Sequence, residues 1–285
     1  MSIVITGATG HLGRLVVEQL LARGVDPSTI VAGGRNEEAL AGLAAHGVRT
    51  ARIDYADPAT LEDAFAGAGK VLLISGNEVG KRSVQHKAVI DAARRVGAEL
   101  VYTSAPRAST SALVLAPEHK ATEGLLEGSG LTYTVLRNNW YTENYADTIR
   151  RAAATGEILT GTGSGRVASA TRRDYAESAA VVLLSGEHAG EILELGGDEP
   201  WDMDELAATV SAVAGRPVTV HQVGTDEHVA ALKGFGLDED AAGFAAALDA
   251  NIADGLLAES DGTLARIIGR PTTPLREYVG EVLGG

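Results

Sequence analysis

One stretch limits what this chain can fold into more than any other: Ile3-Val4-Ile5-Thr6-Gly7-Ala8-Thr9-Gly10-His11-Leu12-Gly13. Four β-branched residues read as a strand, which breaks into three evenly spaced glycines. The amphipathic run from Leu12 to Leu21 follows without a gap and has helical period. Strand, glycine turn and helix in that order make the phosphate-holding start of a nucleotide-binding α/β unit. In such a turn Gly7 reverses the chain, Gly10 lets backbone approach a pyrophosphate, and Gly13 lets helix and strand sit close together. The N–H groups at the helix start have no partners within the helix, and with the positive end of its dipole they attract the anion.

The rest of the chain repeats the alternation. Thr29 to Arg35, Val48 to Asp54, Val71 to Gly76, Glu99 to Ser104 and Thr132 to Arg137 read as strands, with helices such as Arg82 to Val96 and Glu118 to Glu127 between them. Short connections between alternating elements predict a Rossmann-type α/β fold, a doubly wound parallel sheet covered on both faces. Residues 1–137 form this core, completed by a helix over 174–185 that starts at Asp174 with Glu177 three residues on, and by a strand within 191–196. Residues 138–173 and 198–285 are read as a smaller, mostly helical C-terminal substrate lobe. This lobe has one strand-like segment, Pro217 to Val223, and a glycine-rich hairpin or loop tip at Gly161 to Gly165.

The end of the second strand selects the nucleotide. Arg35 follows two glycines, and no acid appears before Glu37. A carboxylate here would bond a ribose 2′-hydroxyl, whereas a guanidinium pairs with a 2′-phosphate, so the expected cofactor is NADPH. Asp54 and Tyr55 end the third strand, where they either border the adenine or lead into a helix begun by Asp57-Pro58. Ser75, Gly76 and Asn77 end the fourth strand and reach the cofactor cleft, while His86, alone on its helix, reads as structural.

Composition removes several function classes. The 285 residues carry 24 basic and 38 acidic side chains, a net charge of -14 that repels nucleic acid and anionic membranes. No apolar run approaches the roughly 20 residues that cross a bilayer, and no secretory signal is visible, so the expected location is cytoplasmic. The absence of cysteine excludes disulfides and thiolate chemistry, and the seven histidines show no metal-ligand spacing. None of the seven tyrosines has a lysine four residues on, so tyrosine-relayed alcohol oxidation is not expected. Gly163-Ser164-Gly165 lacks the strand that a nucleophile elbow needs. Asn138 to Tyr145 gathers three aromatics and three asparagines just after the sixth strand, side chains suited to holding a carboxamide and a flat ring.

Four segments together carry a family resemblance: Gly7-Ala8-Thr9-Gly10-His11-Leu12-Gly13, Ile74-Ser75-Gly76-Asn77-Glu78-Val79-Gly80, Leu136 to Tyr145, and Ala168 to Ala176. They resemble the bacterial NADPH:quinone oxidoreductase 2 family, NmrA-like atypical short-chain dehydrogenases, and the likeness runs on to Ile268-Gly269-Arg270-Pro271-Thr272-Thr273. The resemblance implies flavin-free hydride transfer from NADPH to a quinone or related carbonyl acceptor, by a monomer or homodimer. It places Gly7, Thr9, Gly10, His11, Leu12, Gly13, Arg35, Ser75, Gly76 and Asn138 against NADPH, and Asn139, Trp140 and Tyr141 against the substrate. Tyr141 and Asn138 would donate hydrogen bonds to the acceptor oxygen. Lys120, beside His119, would be a third donor, at the place where related reductases carry a lysine. NmrA-like proteins also include regulators that bind NADP without catalysis and sense redox state through a protein partner. A ketone reductase of secondary metabolism on the same scaffold is a third possibility.

Overall fold

A computed structural model describes residues 1–284. Its strands are β1 (Ser2–Ile5), β2 (Ile30–Gly34), β3 (Arg49–Arg52), β4 (Ala68–Leu73), β5 (Glu99–Ser104), β6 (Tyr133–Asn138), β7 (Glu157–Thr160), β8 (Ile192–Leu195) and β9 (Thr219–Gln222). The helices are α1 (His11–Ala22), α2 (Glu37–Ala44), α3 (Pro58–Phe65), α4 (Arg82–Val96), α5 (Ala116–Glu127) and α6 (Ala146–Thr155). They continue with α7 (Arg172–Ser185), α8 (Met203–Ala214), α9 (Thr225–Gly234), α10 (Glu239–Ala253), α11 (Thr263–Ile268) and α12 (Leu275–Gly284).

Seven strands form one sheet in the order β3-β2-β1-β4-β5-β6-β8, every pair parallel. The order reverses between β1 and β4, which opens a crevice at their carboxyl ends. Both faces are covered, which is why Val71 to Leu73 of β4 and Leu100 to Tyr102 of β5 are unbroken apolar runs. On one face Val16, Val17 and Leu20 of α1 meet Ala176, Ala179 and Ala180 of α7, whose small side chains let the two helices approach. On the other, Leu61 and Phe65 of α3 and Val89, Ile90 and Ala93 of α4 cover the sheet.

A separate core holds the lobe together, with Ile149 of α6, Leu206 and Val210 of α8, and Val279 of α12 around Tyr145 and Trp201. Beside it β7 and β9 pair in parallel, so Gly161 to Gly165 is a loop tip and not a hairpin. Among the described residues no helix is long and apolar enough to cross a membrane.

Besides shifts of one or two residues at other element ends, three features depart from the sequence reading. The expected strand Val71 to Gly76 begins earlier, at Ala68, and stops at Leu73. Beyond Leu73 side-chain hydroxyls replace the ladder: Ile74 N donates to Thr6 Oγ1 (3.2 Å) and Ser75 N to Thr103 Oγ1 (2.9 Å). The helix expected to start at Asp174 starts at Arg172, capped by Thr171, with Asp174 closing the box at its third position. Asp174 is fully buried because Arg270 Nη2 (2.7 Å), Thr171 Oγ1 (2.8 Å) and Thr273 N (3.1 Å) all donate to it, tying the C-terminal segment to α7. Finally α11, expected in the lobe, buries Leu264 and Ile268 in the sheet core beside α7.

Candidate active site

The turn after β1 is built as the glycine spacing requires. Gly7 has φ +63°, a conformation that a side chain would strain, and Gly10 N closes onto Gly7 O at 2.9 Å. A Cβ on Gly13 would lie 2.4 Å from Gly7 O and 2.7 Å from Ala8 Cα, so only glycine lets α1 lie against the turn. Gly10 begins α1 with no side-chain cap, leaving the first helical N–H groups open. A glycine pair in β2 makes matching room: a Cβ on Gly34 would lie 2.4 Å from Thr9 Oγ1, and one on Gly33 would lie 2.2 Å from Ile53 Cδ1.

A cavity of about 250 Å³ lies over this turn, lined by Gly7, Thr9, Gly10, Arg35, Asp54, Tyr55, Ser75, Gly76 and Glu78 among others. Arg35 stands on its rim with Nη1 2.9 Å from Glu78 Oε1, and Glu78 Oε2 lies 3.2 Å from Lys81 Nζ. Hydrogen bonds from Lys81 and Arg35 hold the Glu78 carboxyl below its ordinary range. The Tyr55 hydroxyl lies 2.5 Å from Thr6 Oγ1 and donates to Ile74 O (2.8 Å), which fixes the far wall. Asp57 does cap α3, accepting from Ala59 N at 3.2 Å, while Asp54 and Tyr55 line the cavity.

His86 is a positioning residue for this wall. Gly76 N donates to its Nε2 (2.9 Å), which leaves Nδ1 to donate to Thr122 Oγ1 (2.9 Å), and Arg82 Nε donates to Gly76 O (2.6 Å). This arrangement requires a neutral ring. Burial first, and Arg82 second, push the His86 pKa down from 6.5 to about 4. Burial, then Arg82 and His86, push the neighbouring His119 down to about 3. The unfolded chain binds these protons more readily, so stability rises with pH across the window. It is fully present above the unfolded value near 6.5 and is lost as pH falls towards about 4, by roughly 3 kcal/mol for His86 alone. Thermal unfolding between pH 7.5 and 4.5 should show this loss, and His86→Gln should flatten the slope. NADPH affinity of the folded wild type should hold down to about pH 5 and fall only as pH approaches about 4, where His86 gains its proton and Gly76 N loses its acceptor.

At the carboxyl end of β6 two adjacent asparagines part company. Asn138 is buried, its Nδ2 lies 3.5 Å from Tyr141 Oη, and its Oδ1 is a buried acceptor with no partner. Tyr141 lies edge-on to Tyr175 (5.3 Å between centroids), with the Arg172 guanidinium 4.7 Å from its ring centroid. Burial raises the Tyr141 pKa, so the hydroxyl keeps its proton. Asn139 points elsewhere: its Nδ2 donates to Leu257 O (3.2 Å) and Glu259 O (3.3 Å), and its Oδ1 accepts from Trp140 N (2.8 Å). Asn139 therefore anchors the lobe loop and has no free amide for the substrate expected there. Trp140 packs with the lobe clusters and lines a cavity of its own.

A family model described as NAD(P)H-binding matches residues 7–185. Quinone oxidoreductase 2 of Escherichia coli is 43% identical over 281 residues, 98% of this chain and 98% of that one. The chain belongs to the NADPH:quinone oxidoreductase 2 family. The structures agree along their whole length. The E. coli NADPH-dependent quinone oxidoreductase complexed with NADPH superposes with a TM-score of 0.94 at 42% identity, covering 99% of each chain. Triphenylmethane reductase of Citrobacter sp. complexed with NADP(H) gives 0.94 at 38%, covering 99% of this chain and 100% of that one.

Within this quinone oxidoreductase 2 member, Gly7, Thr9, Gly10, Arg35, Ser75 and Gly76 come together at one cavity. Leu12 and Gly13 are buried in helix packing, and His11 is exposed on the first turn of α1. Lys120, expected as a donor, is exposed on α5, because His119 takes the inward position and bonds Tyr102 Oη (2.8 Å). Glu78 and the positioning role of His86 were not readable in advance. The double glycine Gly33-Gly34 inside a strand was the one signal that pointed to a close backbone approach there.

Proposed function

We infer that this chain is a flavin-free oxidoreductase that transfers a hydride from NADPH to a quinone; its E. coli relative is named as an NADPH-dependent quinone oxidoreductase. The observation that carries the reading is a guanidinium and an open glycine turn on one cavity. An arginine on the rim of this cavity suits a 2′-phosphate, and a Cβ on Gly10 would meet only Gly7 O, at 3.3 Å, in the space that a pyrophosphate would take. The other end fits as well, since the orphaned Asn138 Oδ1 suits a carboxamide N–H₂.

NADPH, when bound, supplies the hydride. The chain orients the acceptor and donates hydrogen bonds to its oxygen. Tyr141, kept protonated by burial, is the donor, and Asn138 Nδ2 steadies its oxygen. The Arg172 guanidinium over the Tyr141 ring adds positive potential where negative charge develops. A quinone that has taken a hydride is a delocalised, weakly basic anion, so orientation and donors suffice and a tyrosine-lysine pair is not required. The same reading places the protein in the cytoplasm as a monomer or homodimer, without a nucleic-acid partner.

The test is oxidation of NADPH and NADH with a panel of quinones. NADPH-dependent reduction is expected, and Tyr141→Phe should lower kcat by about tenfold to a hundredfold while the Kd for NADPH stays unchanged. NADPH binding with no oxidation by any quinone would overturn the enzyme reading in favour of a cofactor-sensing regulator. Turnover confined to larger polycyclic ketones would replace the quinone as acceptor.

A further inference from the structure

Two residues beyond Tyr141 stands a carboxyl group with one oxygen in use and the other orphaned. Glu143 lies in the single helical turn Thr142–Tyr145, between the end of β6 and the start of α6. Its Oε1 accepts from Arg172 N, the first N–H of α7, at 2.8 Å. Its Oε2 is buried, makes no hydrogen bond, and lies 3.9 Å from Arg172 Nη1. The same guanidinium lies 4.7 Å from the Tyr141 ring centroid, and its Nη2 donates to Asn144 Oδ1 at 3.1 Å. Tyr141 and Glu143 therefore share one positive charge.

A buried carboxylate oxygen that no donor serves favours the protonated form of its group. Burial first, with the Asp174 charge adding to it, raises the Glu143 pKa, against the hydrogen bond from Arg172 N and the Arg172 charge. The other groups packed around it are fixed. Asp174 of α7 is held by Arg270 at 2.7 Å. Burial, and then Glu143, push Tyr278 of α12 up to about 12, and burial also raises Tyr141 and Tyr175, so all three keep their protons. Arg150 of α6 and Glu281 of α12 are exposed and paired with Asp147 and Arg173. Of these groups Glu143 is the one left to change charge between about pH 5 and 8.

We propose that Glu143 is a positioning residue that sets the potential over Tyr141. With its carboxyl protonated, the Arg172 charge acts undivided on the hydroquinone anion that forms at the Tyr141 hydroxyl. Once ionised, Glu143 cancels much of that charge and draws the guanidinium to its own side. Acid therefore favours turnover. Each turnover also consumes one proton, because a quinone that has gained a hydride needs one proton more to become a hydroquinone. The inference rests on Tyr141 as the donor to the acceptor oxygen.

Quinone reduction by the wild type, Glu143→Gln, Arg172→Gln and Tyr141→Phe between about pH 5 and 8 tests it, above the range near 4 where His86 gains its proton. Wild-type kcat should fall about tenfold as pH rises. Glu143→Gln keeps an acceptor for Arg172 N and cannot ionise, so it should lose that slope and exceed the wild type at pH 8 by about tenfold. Arg172→Gln should be flat at a lower level. A second measurement needs no turnover. 2,4-Dinitrophenolate, which stays ionised over this range and mimics the hydroquinone anion, is titrated into the protein alone, read by fluorescence of Trp140 beside Tyr141. Its Kd should rise about tenfold with pH in the wild type and stay constant in Glu143→Gln. A flat wild-type kcat, the wild-type slope in Glu143→Gln, or a dinitrophenolate Kd that ignores pH or shows no saturation would overturn the proposal. Tyr141→Phe separates it from the reading beneath. Wild-type kcat in that variant would remove Tyr141 as donor, whereas a lowered kcat there, with the wild-type slope kept in Glu143→Gln, would strike the role of Glu143 alone.

Discussion

Replacing Arg35 by alanine should lower kcat/KM for NADPH by about tenfold to a hundredfold and leave that for NADH within about twofold. The magnitude follows from the contact that is lost. Charge-assisted hydrogen bonds to a phosphate are worth about 1.5–3 kcal/mol, and the Arg35 side chain is 56% exposed, which keeps the effect at the screened end of the scale. NADH has no 2′-phosphate to miss the guanidinium. The Glu78 carboxylate makes the same result two-sided, because it already holds Arg35 Nη1 at 2.9 Å and must yield when a dianion arrives. Glu78→Gln should therefore lower the KM for NADPH by a few fold, and less so at high ionic strength. Steady-state kinetics with both nucleotides at two salt concentrations measures both effects. An unchanged NADPH to NADH ratio in Arg35→Ala would remove Arg35 from the site.

Much of this architecture was legible because its causes are local. A strand covered on both faces must be apolar on both, so Val71 to Leu73 and Leu100 to Tyr102 announce themselves, and a glycine turn between strand and helix has few other uses. What was hidden depends on residues far apart in the chain. Glu78 matters because it meets Arg35, 43 positions away, and nothing near either residue says so. The start of α7 slipped by two, from Asp174 to Arg172, because both Thr171 with Asp174 and Asp174 with Glu177 satisfy a capping pattern. The arbiter is Arg270, 96 residues beyond Asp174, which needs that carboxylate buried beneath it. Asn138 and Asn139 are chemically identical neighbours, yet successive strand residues face opposite sides, so one amide turns to Tyr141 and the other to the lobe loop at Leu257. Lys120 lies one position of helical phase from His119, which faces inward and leaves the lysine exposed on α5.

The second and third glycines of the turn should separate fold from function when each is changed to alanine. Gly13→Ala puts a Cβ 2.4 Å from Gly7 O and 2.7 Å from Ala8 Cα, backbone atoms that cannot swing aside as a side-chain tip would. Either α1 lifts from β1 or the turn opens, and overpacking of this kind costs about 3 kcal/mol. The Tm should fall by several degrees even with no nucleotide present. Gly10→Ala behaves differently. Its backbone is extended at φ −87°, which any residue adopts, and its Cβ meets only Gly7 O, at 3.3 Å. Folding should survive with a loss of under about 1 kcal/mol at a helix N-cap. Yet that methyl group projects over the open N–H groups of α1, where a pyrophosphate would lie, and should weaken NADPH at least about tenfold. Thermal unfolding and NADPH titration of the two variants therefore give opposite orders of severity if the turn both packs the helix and cradles the phosphate. A Gly10→Ala protein that binds NADPH as the wild type does would leave the turn a packing device only.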